Sequence, residues 1–472
     1  HMDPRTRHRT TQKPLVAHLR RHGFCVMRGL HLLIVTRETS EDKTYGLGKS
    51  IEPIQAELQR VGWQVSYFCQ DNLSVAQASQ KNQLIQIAQN LTFARHFQHE
   101  SLVTALMERF FVGQLAAKEQ ALHGHSHVHL HDPWLALGFL MGRMGLKLNF
   151  LSFFKLLNPF NRASSKTRIG LTEHGFGAYY QAVRWDGVHI GPVALFLLRY
   201  LERAICKKMD WVMAPTQLAL DQLSLDLGLD LGLDLSLKQA PEKLSSPLSK
   251  VPPSKHGLDH QPKSQLPAHW YKVPHALPSF VRFGRTIARK ELSLGLQEDA
   301  QLLLTVGRLA PLKQFDLVIR VFAELSVSHP DLHLLILGGS DSSRLKTLAQ
   351  ALGVLSKVHF AVAQNMDLYY SAADFYVSAS LSESFGLANL ESLAHQLPSV
   401  CSQVGGVPEV VQQGALLVEP EHGPILKALE TLLNHPEKSL ELSHQASEHV
   451  KNWPSVQTIT QTYVQIYTLP DA

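Results

Sequence analysis

A chain of 472 residues is too long for one ordinary domain and implies two or three. Its hydrophobic fraction of 44% and charged fraction of 18% describe a globular protein with a sizeable core. A net charge of +5 over this length gives no ground for nucleic-acid binding. Four cysteines (Cys25, Cys69, Cys206, Cys401), scattered without CxxC spacing, exclude a disulfide frame and a thiolate zinc site and fit a reducing, cytoplasmic setting.

His1-Met2 reads as an expression-tag remnant, and residues 1–27 as a basic, solvated arm carrying Arg5, Arg7, Arg9, Lys13, Arg20 and Arg21. The alternative for this arm is contact with anionic lipid at the inner face of the cell membrane. Leu30–Thr36 is the continuous apolar run of a buried parallel strand. The loop 37–48, a helix from about Ile51 to Arg60 and a strand Gln64–Phe68 complete the opening of a doubly wound α/β domain. The loop ends Gly46-Leu47-Gly48-Lys49-Ser50, but a P-loop would need glycine at position 43, where Lys43 stands. Closure of Gly46 and Gly48 over a substrate phosphate or sugar fits better.

A polar, helix-rich stretch, 72–120, leads to His123, His125, His127, His129 and His131 at alternate positions. On one strand these imidazoles would share a face at about 6.6 Å spacing, which forbids one ion for all five but leaves a neighbouring pair open as metal ligands. The preferred reading is a strand end that delivers His131 and Asp132 to a cleft. Leu135–Leu157 is apolar, interrupted by Arg143, Lys147 and Lys155, and reads as a packed helix or an apolar-basic surface lying on a membrane. Thr172-Glu173-His174-Gly175 follows the apolar run 169–171 and opens into a glycine-bearing loop, where α/β ligand sites lie. A helix over 195–208 and a strand over 211–215 follow. Residues 223–267, which begin with a Leu-Asp-Leu-Gly repeat, read as a low-complexity insertion; leucines stand where calcium would need oxygen ligands.

The α/β alternation then restarts, with strands at 302–306, 332–337, 358–361 and 375–378, giving two such domains in series across a cleft. Arg308 and Lys313 lie on one strand-end loop. Glu383-Ser384-Phe385-Gly386-Leu387 lies on another, leading into a helix with Glu391 on its second turn. Cations facing a helix N-terminus can clamp a diphosphate, and a carboxylate pair can take sugar and ribose hydroxyls. The alternative is an ordinary strand-to-helix turn with two solvated glutamates. No Asp-x-Asp occurs in the chain, which argues against metal-bridged nucleotide-sugar binding.

These residues resemble the retaining glycosyltransferases of family 4, of the GT-B fold. The matching segments are Val306-Gly307-Arg308-Leu309 with Lys313, Leu335-Ile336-Leu337-Gly338-Gly339, Ala373–Ser378, Glu383–Glu391, Leu397-Pro398 and Gly405-Gly406-Val407-Pro408-Glu409. The resemblance implies two Rossmann-like domains facing a central cleft: an acceptor domain at 28–222, a donor domain at 268–450 and a final segment, 451–472, crossing back. It implies a nucleotide-diphosphate sugar donor, UDP-linked or GDP-linked, and no required cofactor or metal. Arg308 and Lys313 would hold the diphosphate and Glu383 the sugar hydroxyls. The amides of Phe385, Gly386 and Leu387 would touch sugar or phosphate, with Ser384 beside them. Glu391 would hold the ribose diol. Gly46, Gly48 and Gly339 complete the donor set, and His174, with His131 and Asp132 on the acceptor side, would sit by the reacting sugar. Attack from the front face, with the leaving phosphate taking the acceptor's proton, leaves Glu383 no role as a covalent nucleophile.

The chain departs from the family pattern at Pro274-His275-Ala276-Leu277, at Tyr45-Gly46-Leu47-Gly48 and at Val362-Ala363. A sugar-nucleotide epimerase, a phosphorylase-like enzyme or a non-catalytic scaffold of the same fold are the competing expectations.

Overall fold

The structure, a computed structural model, describes residues 30–37, 47–90, 100–145, 167–185, 190–229, 266–339, 341–362 and 365–470. The arm 1–27, Gly46 and most of the insertion lie outside the described residues.

The first half runs β1 (His31–Val35), α1 (Leu47–Arg60), β2 (Gln64–Phe68), α2 (Val75–Asn90), α3 (Glu100–His123), β3 (His127–Leu130), α4 (Pro133–Arg143), β4 (Arg168–Thr172), α5 (Tyr179–Trp185), α6 (Pro192–Lys208), β5 (Trp211–Ala214), α7 (Gln217–Leu227) and β6 (Trp270–Lys272). Its six strands pair in parallel in the order β2-β1-β3-β4-β5-β6. Helices cover both faces, which is why Leu32 to Val35 can all be buried.

The second half runs α8 (Arg285–Glu291), β7 (Gln301–Val306), α9 (Phe315–Ser328), β8 (Leu332–Leu337), α10 (Ser343–Ala351), β9 (Val358–Ala361), α11 (Met366–Ala372), β10 (Phe375–Ser378), α12 (Leu387–Ala394), β11 (Ser399–Ser402), α13 (Val407–Val411), β12 (Leu416–Val418), α14 (His422–Asn434), α15 (Pro436–Lys451) and α16 (Val456–Thr468). Its strands pair in parallel as β12-β11-β10-β7-β8-β9. In each sheet the strand order reverses beside the first strand, at β1/β3 and at β7/β10. Carboxyl ends at such a reversal form the natural crevice of an open parallel sheet.

α16 leaves the second domain and packs on the first. Ile459, Tyr463, Ile466 and Tyr467 share a core with Leu32, Ile34, Leu58 and Trp211.

Three expectations need correction. The five histidines do not share a strand: His123 closes α3, Gly124 turns left-handed (φ 66°), and the strand spans only His127–Leu130. The insertion does not start at 223, because Leu223 to Leu227 complete α7, which ends on left-handed Gly228. The boundary at 268 is early, since β6 pairs with β5 and belongs to the first sheet. Of the two readings of the apolar stretch from Leu135, the packed helix is the one found as far as Met141, with α4 pressed onto α3 so closely that a β-carbon on Gly138 would collide with the Phe110 carbonyl. No helix among the described residues is long and apolar enough to cross a membrane.

Candidate donor and acceptor cleft

Arg308 and Lys313 follow β7 at the crevice. Arg308 is exposed, and Lys313 ends a single 3-10 turn, Pro311–Lys313. That turn is anchored at its far end by Gln314, held left-handed (φ 47°), whose side-chain amide donates to the carbonyls of Ala379 (2.9 Å) and Pro420 (3.2 Å). The Leu381 amide donates to the Leu312 carbonyl at 2.9 Å, so the two cleft loops are stitched together. Lys313 forms an ion pair with Glu383, whose carboxylate also accepts from the Ser380 hydroxyl at 3.0 Å.

The Glu383–Gly386 loop has little room to move. The Gly406 amide donates to the Glu383 carbonyl at 2.9 Å. A β-carbon on Gly405 would collide with that carbonyl, and one on Gly406 with the carbonyl of Ser384. Gly386 then turns left-handed (φ 78°), and α12 begins; the Asn389 amide donates to the Gly386 carbonyl at 2.9 Å, while the amides of Leu387 and Ala388 precede the first intrahelical acceptor. Glu391 lies buried on the second turn, and its Oε2 accepts from the Tyr370 hydroxyl at 2.9 Å. Across the cleft its Oε1 meets the Lys49 ammonium at 2.7 Å. Gly48 lies in the first turn of α1 rather than in a loop. Gly339 lies two residues beyond β8, exposed, with open space where a β-carbon would stand.

The first domain brings His174 to the same place. Beyond β4, its carbonyl accepts from the Ser384 hydroxyl, while the Ser384 carbonyl accepts from the Thr216 hydroxyl at 2.9 Å. Nδ1 of His131 bonds Nε2 of His174 at 2.9 Å, and His275 stacks on His174 with ring centres 5.3 Å apart. Behind His131 stacks His129 (4.2 Å), which bonds the Thr172 hydroxyl (2.6 Å) and the Tyr467 hydroxyl (2.7 Å). The alternating histidines thus form a column from the core to the cleft. Among the described residues no three His, Cys, Asp or Glu side chains are arranged to hold one metal ion.

Burial keeps this column neutral. It lowers His129 to about 3 and His275 to about 4. It holds His174 well below the ordinary imidazole range, helped by the facing His275, His129 and Arg37. His131 is lowered in the same way, by burial first and by the three neighbouring imidazoles second. A neutral His131–His174 bond carries one proton, so whichever ring donates fixes the hydrogen-bonding sense of the other. Glu173, beside His174, faces the core; burial, Glu202 and Asp132 push its carboxyl well above the usual range.

Asp132 does not reach the cleft. Its Oδ1 caps α4 through the Trp134 amide (2.8 Å) and the Leu135 amide (3.4 Å), and its Oδ2 pairs with Arg109 (2.9 Å). The structure therefore brings together Lys313, Glu383 to Leu387, Glu391, His174 and His131, with Arg308 at the rim. Sequence reasoning overlooked Lys49, Thr216 and His275 as cleft residues. Lys49 was visible only as the residue after Gly48, and His275 only as a departure from the family pattern.

Residues 287–453 match the family model for Glycosyl transferases group 1. A D-inositol 3-phosphate glycosyltransferase of Corynebacterium efficiens is 35% identical over 191 residues, which is 38% of this chain and 45% of that protein. The chain thus spans less than half the length of this curated relative. The sucrose-phosphate synthase of Thermosynechococcus elongatus superposes with a TM-score of 0.62 at 19% identity, covering 93% of this chain and 98% of that one. Anabaena HepE, solved in complex with UDP-glucose, superposes with a TM-score of 0.57 at 13% identity, covering 92% and 98%. At such identities the likeness is one of fold, and the fold is GT-B.

Proposed function

We propose, from a Glycosyl transferases group 1 domain set in a GT-B frame, that this protein is a retaining hexosyltransferase. The donor is a nucleotide-diphosphate sugar, UDP-linked in preference to GDP-linked. The acceptor is a glycan, a lipid-linked sugar or a small molecule. The observation that carries this reading is the Ser384–His174 contact, which seals the donor loop of one domain against the histidine of the other.

In this reading Arg308 and Lys313 neutralise the leaving diphosphate together with the first-turn amides of α12. Glu383, already tethered by Ser380, accepts the sugar hydroxyls once Lys313 turns to phosphate. Glu391 accepts the ribose diol, oriented by Tyr370. The His131–His174 pair offers the reacting sugar a neutral polar edge. The acceptor's proton passes to the departing phosphate and no metal ion is needed. The basic arm 1–27 supplies peripheral contact with the inner face of the cell membrane; absence of co-sedimentation with anionic liposomes at low salt would remove that part.

A thermal-shift screen of UDP-, GDP- and ADP-sugars identifies the donor, because a ligand that binds only the folded state raises the midpoint. Nucleoside diphosphate release is then followed with an acceptor panel that includes D-inositol 3-phosphate, the compound in the relative's name. Release that depends on acceptor supports transfer. Epimerised sugar nucleotide without release, or binding without turnover, would replace this reading by the epimerase or the scaffold.

A further inference from the structure

Lys49 has no part in the function described so far, yet it makes one of the shortest polar bridges between the domains. It stands in the first turn of α1, at the carboxyl edge of the first sheet, and reaches across to Glu391 on α12 at 2.7 Å. The pair is mostly enclosed, with side chains 22% and 11% exposed. Screening by solvent is correspondingly weak, and its partner loss correspondingly costly. Because Tyr370 holds the other carboxylate oxygen at 2.9 Å, Glu391 is fixed at both ends, one end by each domain.

Charge makes the role specific. The second domain presents Arg308 and Lys313 to the donor, together with the carboxylates of Glu383 and Glu391. These four cancel, and a neutral surface offers a diphosphate dianion no net attraction beyond the α12 amides. Lys49 adds a positive charge from the first domain at Glu391, and Arg37 adds another near His174. An ammonium has three protons, and a single bond to Glu391 leaves two for ribose or phosphate oxygens.

We propose that Lys49 is a donor-binding residue supplied by the first domain, holding Glu391 for the ribose diol and adding positive charge where a nucleoside diphosphate binds across the cleft. This rests on the donor-site reading above.

Titration calorimetry of the full chain with UDP and with GDP tests it. Lys49→Met removes the charge at similar length, and Lys49→Arg keeps it. The Met variant is expected to bind the preferred diphosphate at least about tenfold more weakly, and the Arg variant within about threefold of wild type. The Met variant should also show a shallower salt dependence of affinity, which a merely structural contact would not change. Thermal unfolding without ligand identifies a folding defect, and the Arg variant keeps the test decisive if Lys49→Met unfolds, since an Arg variant that folds but loses the diphosphate overturns the proposal. Affinity of Lys49→Met equal to or tighter than wild type overturns it too, because the ion pair would then be a clamp that competes with the ligand. Arg308→Ala separates the two levels. If Arg308→Ala weakens UDP and GDP while Lys49→Met does not, only the Lys49 role falls. If wild type binds neither diphosphate, or Arg308→Ala binds as wild type, the donor site falls and Lys49 with it.

Discussion

The two walls of the cleft handle charge in opposite ways. The second-domain wall keeps its ions and pairs them: Lys313 with Glu383, and Glu391 with Lys49 from across the gap. The first-domain wall removes charge by burying five histidines, His127, His129, His131, His174 and His275, behind one another until all are held below the ordinary imidazole range. Paired ions can rearrange onto a charged ligand at small cost, whereas a desolvated imidazole stack resists any added charge. The difference fits the proposed roles of the walls: paired ions suit a polyanion, and buried neutral imidazoles suit a sugar.

The contrast is broken most directly at Lys313 and Glu383. Alanine at either position should lower transfer by about 10²–10³-fold or more, the scale of losing one charge-stabilising group, while circular dichroism stays unchanged. Near-normal turnover in either variant would remove the donor assignment. The neutral wall should respond the other way. Tyr467→Ala empties a fully buried site and strips His129 of a partner, and should cost about 3–5 kcal/mol in urea unfolding. Lys313→Ala should leave that transition within about 0.5–1 kcal/mol of wild type.

A pH series separates the walls further. Histidines lowered on folding bind fewer protons in the native state, so their contribution is complete above about pH 6.5 and is lost as pH falls towards about 4 and 3. Glu202, pushed up to about 8 by burial, works in reverse. It binds an extra proton in the native state, and its contribution is lost as pH rises from about 4.5 to 8; Glu173, raised by burial, Glu202 and Asp132, acts in the same direction. The histidines are more numerous, so stability should peak near about pH 6.5, with a steep acid limb and a shallower alkaline one. Chemical denaturation across pH measures this directly; a flat acid limb would show that the column is not neutral. The smallest effect belongs to the seam between the walls. Thr216→Val loses both the α7 cap at Ala219 and the bond to Ser384, and should cost about 1–2 kcal/mol in unfolding.

What the sequence makes legible is what a short segment decides by itself. Glu383 to Glu391 spans one loop, one left-handed glycine and two helical turns, so its geometry follows from local chain chemistry. The histidine run defeats the same reasoning, because alternate spacing continues across the end of α3; Gly124, a natural helix stop, is the overlooked signal. The Leu-Asp-Leu-Gly repeat similarly hides the last turn of α7, although Gly228 marks where it stops. Asp132 precedes proline at the start of a helix, which is also the signature of an N-cap, and the capping role is the one the structure shows. The Lys49–Glu391 pair joins residues 342 apart and no local pattern encodes it.

The return of α16 to the first domain has a mechanical consequence. The chain passes between the domains at Val273–Leu277 and again at Trp453–Ser455, and the Trp453 indole N–H donates to the His275 carbonyl at 3.2 Å, tying the two passages together. Two connections tied to each other at one place hold the domains more tightly than a single tether would. His275, stacked on His174 and edge-on to Phe385 at 4.7 Å, joins that crossing to the cleft.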